Sequence, residues 1–146
     1  MELTFQVHAK IRKPVADVFA AVADPKKLSR YFTTGGASGP LVEGATVTWD
    51  FHDFPGAFPV HVRRVVKNEK IVLEWQAAER DYNTRVEMEF EALDEGATLV
   101  RITESGWKDA EQDLRSSYMN CMGWTQMLCC LKCYVELGVN LREFFY

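Results

Sequence analysis

One pattern limits what this chain can fold into. Short segments in which apolar and polar residues strictly alternate follow one another, and then a single long stretch takes over helical periodicity. In the clearest segment Val86, Met88 and Phe90 point one way, while Arg85, Glu87, Glu89 and Glu91 point the other. Such period-two alternation marks a half-buried β-strand. It recurs at Leu3, Phe5, Val7, Ala9 and Ile11, at Val47, Trp49 and Phe51, and at Ile71, Leu73, Trp75 and Ala77. It returns at Thr98, Val100 and Ile102, and parity places Glu104 on the same face. Residues 60–66 read as a further strand. Polar turns such as Asn68-Glu69 and Asp94-Glu95-Gly96 are short, which implies an antiparallel sheet with one face kept for a core.

Three helical stretches complete the pattern. Pro14 suits a first turn, and Val15, Val18, Phe19 and Val22 follow at helical spacing. Asp24-Pro25 ends that helix and opens a second short one over 26–31. The last helix is expected from Asp109 to Leu137, with Asp109, Glu111 and Asp113 loading its N-terminal end and Gly138 stopping it. At ~100° per residue, Leu114, Tyr118, Cys121, Thr125, Leu128, Leu131 and Val135 form one stripe. The expected architecture is a single α+β domain over 1–146. It has a six-stranded curved antiparallel sheet, two short helices and one long C-terminal helix. Two short helices plug only one end of such a sheet, so a cavity is expected between sheet and long helix.

Composition removes several functions. A net charge of −4 without a basic block gives no footprint for nucleic acid or for an anionic membrane surface. The longest apolar run, residues 18–23, is far short of the ~20 residues of a spanning helix. No basic-then-apolar leader precedes the first strand, so no secretory signal is expected. Cys121, Cys129, Cys130 and Cys133 crowd onto one helix instead of spreading to close loops. They read as reduced thiols acting as small hydrophobes, which points to the cytoplasm. The three histidines match no zinc spacing, and no metal or cofactor is expected. Nine Phe, five Tyr and four Trp leave one question, whether they fill a core or line a cavity.

Ile11-Arg12-Lys13-Pro14-Val15-Ala16-Asp17-Val18-Phe19, Ala23-Asp24-Pro25-Lys26-Lys27-Leu28, Ile71-Val72-Leu73-Glu74-Trp75 and Gly123-Trp124 with Leu128, Leu131-Lys132 and Val135-Glu136 carry a resemblance. In this order and spacing they resemble the helix-grip, START-like superfamily called SRPBCC. Within it they are most similar to the C-terminal domain of the activator of heat-shock protein 90 ATPase. The resemblance implies an elongated cavity that binds small apolar molecules. It also implies two alternatives, a co-chaperone-like, stress-response partner of a chaperone and a polyketide-cyclase-like enzyme. The eukaryotic co-chaperone docks through a separate N-terminal domain, and the resemblance here starts at the first strand, which weighs against the chaperone role.

The candidate ligand-binding residues follow. Trp49, Trp75 and Trp124 are expected to point inward, and a buried indole N–H needs a partner. Val86, Met88 and Phe90 share the inner sheet face. Phe54 and Phe58 lie in the aromatic loop 52–59, read as a gate at the cavity mouth. Glu104 is the sharpest polar candidate, because a carboxylate on an inner face is costly unless paired or wet. Tyr118, Thr125 and Leu128 line the helix stripe. Lys132 is expected to pack its stem and keep its charge at the helix edge. Gly35, Gly36 and Gly39 lack the lysine and helix of a phosphate loop. No nucleophile motif appears and no catalytic residue is assigned; acid–base work by Glu104 or His61 is the enzymatic alternative. Met119, Cys130, Cys133 and Leu137 make the outer side of the long helix unusually apolar, which predicts a homodimer contact there.

Overall fold

The computed structural model describes residues 1–146, apart from the side chain of Glu95. Its elements run β1 (Leu3–Ile11), α1 (Val15–Ala23), α2 (Pro25–Leu28), β2 (Gly36–Ala37), β3 (Thr46–Phe51) and β4 (Phe54–Val66). β5 (Lys70–Gln76), β6 (Asn83–Leu93), β7 (Ala97–Trp107) and α3 (Glu111–Leu137) follow. All strands join one antiparallel sheet in the order β1-β7-β6-β5-β4-β3-β2. The α+β class and the long C-terminal helix are as expected, but the sheet has seven strands, not six.

The additional strand is β2, inside the segment 33–40 read as loop. Two residues are too few to alternate, so no periodicity could mark it. Its backbone settles the matter. Gly35 N–H donates to Asp50 O at 3.0 Å and Ser38 N–H to Thr48 O at 3.0 Å. A Cβ at position 35 would stand 2.9 Å from the Asp50 backbone, so only glycine allows this approach.

The segment 52–59 is corrected as well. Only His52-Asp53 turns the chain, and β4 begins at Phe54, paired with Phe51. Pro55 and Pro59 misled because proline usually excludes a strand. β4 meets β5 only from Val60 onward, so its first half has a neighbour on one side, the position where sheets tolerate proline.

The core lies between the concave sheet face and the helices. Ile71, Leu73, Met88, Ile102, Leu28 and Leu131 are fully buried there, each worth about 1.5–3 kcal/mol relative to exposure. α3 crosses β1 and β7, and Lys132 ties it down: its Nζ donates to Lys10 O at 2.6 Å and to Glu136 at 2.5 Å. Gly138 closes α3 in the left-handed conformation at φ 67°, the stop expected from sequence.

The inward face of α3 is not the expected stripe. Asp113, Ser117, Trp124, Met127, Leu128, Cys130 and Leu131 are buried, whereas Tyr118 and Thr125 face outward. In the first half of the helix the stripe is offset by one residue, or ~100°. Polar anchors cause the offset. Asp113 accepts from Tyr82 Oη at 2.5 Å and Arg80 Nη2 at 2.9 Å, and Asn120 reaches Glu104. An apolar-only stripe cannot register buried polar residues. Cys130, expected outside, is 1% exposed, and burial pushes its thiol up to about 11.

Candidate functional site

A cavity of about 700 Å³ opens between α3 and the β3–β5 end of the sheet. Sheet alternation carries Phe51, Phe58 and Trp75 to its wall, and α3 supplies Asn120, Gly123 and Trp124. The aromatic rings touch in sequence. Phe51 stacks on Phe58 at 6.0 Å between centroids, Phe58 meets Trp75 at 5.7 Å, and Trp75 meets Trp124 at 5.3 Å. Phe32 closes the circuit against Phe51 and Trp124. A continuous aromatic wall of this kind suits an apolar ligand with flat parts.

Behind the floor stands Glu104, with no exposed surface. Its Oε1 accepts from Trp75 Nε1 at 2.8 Å, Thr84 Oγ1 at 2.7 Å and Asn120 Nδ2 at 3.1 Å. Its Oε2 accepts from Trp124 Nε1 at 2.9 Å and Asn120 Nδ2 at 3.2 Å. Burial pushes the carboxyl above its usual range, and these four neutral donor side chains pull it back. Two of the donors are the cavity's own indoles, so Glu104 fixes both rings by their N–H groups.

The mouth is closed by the segment after α3. Arg142, 6% exposed, spans from this segment to the β3–β4 turn, where its Nη2 donates to Asp53 Oδ1 at 3.0 Å. The guanidinium lies over the Phe51 ring at 4.9 Å and near Phe32 and Tyr146 at 5.7 Å each. Tyr146 packs edge-on against Phe54 at 5.2 Å and its hydroxyl bonds Gln126 Oε1. Arg142 Nε and Asp53 Oδ2 are both buried without a partner among the described residues.

The sequence-derived candidates separate in position. Phe54, Phe58 and Trp75 line the cavity, and Glu104 backs its floor. Trp49 is fully buried one layer behind, edge-on to Trp75 at 6.0 Å, and its Nε1 has no partner. Val86, Met88, Phe90 and Leu128 belong to the closed core; Phe90 packs on Phe19 of α1. Tyr118 and Thr125 stand outside, Thr125 donating to Cys121 O at 2.8 Å. His61 pairs with Thr46 away from the cavity. Residues 139–146, Phe32, Asn120 and Asp53 were not singled out from sequence. The aromatic run Phe144-Phe145-Tyr146 after a helix stop was the available signal.

Solved structures share this fold. A Staphylococcus saprophyticus protein is 27% identical, with 97% of this chain and 96% of that one covered and a TM-score of 0.79. DynU16, from the dynemicin biosynthetic locus, is 23% identical with a TM-score of 0.81; the match covers 96% of this chain and 49% of that chain. The Aha1 dimer from Colwellia psychrerythraea is 20% identical, covered at 92% and 97%, with a TM-score of 0.75. No curated protein matches the chain. The family model for activator of Hsp90 ATPase homolog 1-like proteins matches residues 12–136, and the chain belongs to that family.

Proposed function

We propose that this protein binds a small, largely apolar molecule in the cavity between α3 and the β3–β5 end of the sheet. The observation that carries this reading is the aromatic circuit around about 700 Å³ of space, the size of a small-molecule site. Trp75 and Trp124 are at once wall and reporter, so occupancy should change tryptophan emission. Gly123 supplies a direct test. It faces the cavity from α3, and a Cβ there meets nothing within 4 Å. A leucine at 123 should fill the space and abolish binding of a naphthalene-type probe while the fold persists. Undiminished binding to Gly123→Leu would place the ligand elsewhere.

Glu104 supports binding better than acid–base catalysis. Both oxygens are already occupied by donors, and Trp75, Asn120 and Trp124 stand between it and the cavity. Such a carboxylate holds walls in place and has no lone pair free for a substrate proton.

Self-association is the second reading. Tyr118, Met119 and Met122 form an exposed apolar strip on α3, the two methionines at the rim of the cavity, and a neighbour of the same fold is described as a dimer. Light scattering at tens of micromolar tests it, and a monomer there removes it. A chaperone partner rests on the family's name and would be tested by a change in the chaperone's ATP turnover. The free thiols clustered on α3 support a cytoplasmic location for such a binding protein.

A further inference from the structure

Arg142, which lines the cavity, and Asp53, in the adjoining β3–β4 turn, meet through a single hydrogen bond, although an arginine and a carboxylate can make two. The remainder is specific. Arg142 Nε is a buried donor without an acceptor, and Asp53 Oδ2 is a buried acceptor without a donor. They belong to one ion pair whose charges cancel, set among the rings of Phe32, Phe51 and Tyr146. We infer that this pair is a hydroxyl-recognising subsite and that the ligand is a neutral aromatic alcohol or phenol. This rests on the ligand-binding reading above and specifies it.

The chemistry selects among polar groups. A carbonyl or ether only accepts, so it would satisfy Arg142 and leave Asp53 Oδ2 unpaired. An ammonium only donates, with the opposite result. A carboxylate would meet the negative charge of Asp53. A hydroxyl both accepts and donates, so it can take the Arg142 N–H and give its proton to Asp53 Oδ2. The rings on both sides fit a flat body attached to that hydroxyl. Both polar atoms are sealed from solvent, so a ligand hydroxyl reaches them only if the segment after Gly138 shifts.

The test is calorimetric titration of the full chain with naphthol, methylnaphthalene and naphthoate, which share one body and differ in one group. Naphthol should bind at least about tenfold more tightly than either of the others, the value of one of the two hydrogen bonds its hydroxyl can make. Asp53→Asn keeps the size but replaces the acceptor by a donor and leaves Arg142 uncompensated. In that variant the naphthol advantage should vanish and naphthoate should become the tightest of the three. That is a gain of affinity which misfolding cannot imitate. Methylnaphthalene binding as tightly as naphthol, or naphthoate binding best to the unaltered chain, would overturn the hydroxyl assignment and leave apolar binding standing. Failure of all three to bind would overturn both.

Discussion

The floor and the mouth of the cavity each hold a buried carboxylate, and the two are treated in opposite ways. Glu104 at the floor is served by neutral side chains alone, yet both of its oxygens are occupied. Asp53 at the mouth faces a full positive charge, yet one of its oxygens has no partner. Charge compensation and hydrogen-bond completion are therefore separate properties. The completed network makes a rigid wall, because each indole is held at its N–H. The incomplete one is where a further group can bond.

The largest expected effect is at the floor. Glu104→Leu removes the acceptor from Trp75, Thr84, Asn120 and Trp124 together. Leaving a buried donor unsatisfied costs about 1–3 kcal/mol, so urea unfolding should show a loss of at least about 3 kcal/mol. A loss below 1 kcal/mol would mean that the network does not organise the wall. The titration of Glu104 gives a second reading of the same point. Its folded carboxyl sits above the usual value, chiefly through burial, so folding favours the protonated form. The stability it contributes is full below the ordinary 4.5 and is lost as pH rises through the raised folded value. Glu136 behaves in the opposite sense. Burial pushes its carboxyl up, but hydrogen bonds from Lys132 and Arg12 outweigh this and hold it at about 2. Its contribution is present above 4.5 and is lost as pH falls toward 2. Glu104→Gln should abolish the first slope and keep the second.

The next effect is smaller and has a different sign. Gly123→Ala introduces a better helix former into open space, so stability should rise by about 0.5–1 kcal/mol. The alanine methyl leaves most of the cavity free, so probe binding should change little, in contrast to Gly123→Leu. A destabilised Gly123→Ala would show that the helix needs glycine at this position for close packing.

Legibility in the sequence divides along the same line as the two carboxylates. Strand alternation exposed the sheet, and parity alone put Glu104 on the inner face, because a strand offers only two directions. It could not name the donors, since Asn120 and Trp124 belong to a helix whose inward face is set by polar anchors. The stripe of Leu114, Tyr118 and Thr125 assumed that apolar residues choose that face, while Asp113 and Asn120 in fact fix it. The mouth was less legible still. Arg142 meets Asp53 across 89 residues of chain, and neither lies in a periodic segment. β2 escaped for the same reason, being too short to have a period.

The smallest loss of hydrogen bonding should be at the mouth itself. Asp53→Asn keeps a carbonyl oxygen for the bond from Arg142 Nη2, so the 3.0 Å contact can persist. What changes is the charge and the identity of the unpaired atom, from acceptor to donor. Because Asp53 Oδ2 makes no bond among the described residues, its replacement forfeits none. The cost comes instead from the charge: Arg142 is left buried without its counter-ion, and removing one partner of a buried pair costs about 3–5 kcal/mol. Chemical unfolding of Asp53→Asn beside Glu104→Gln gives the contrast directly, because the two substitutions make the same change at the two carboxylates. At the floor the new amide N–H faces Trp75 or Trp124, donor against donor, and the network must break. At the mouth the amide breaks no bond made by Oδ2 but leaves the buried arginine charge without a partner. Destabilisation of Asp53→Asn that added naphthoate does not relieve would mean that the Arg142–Asp53 pair is a finished structural latch and receives no ligand group.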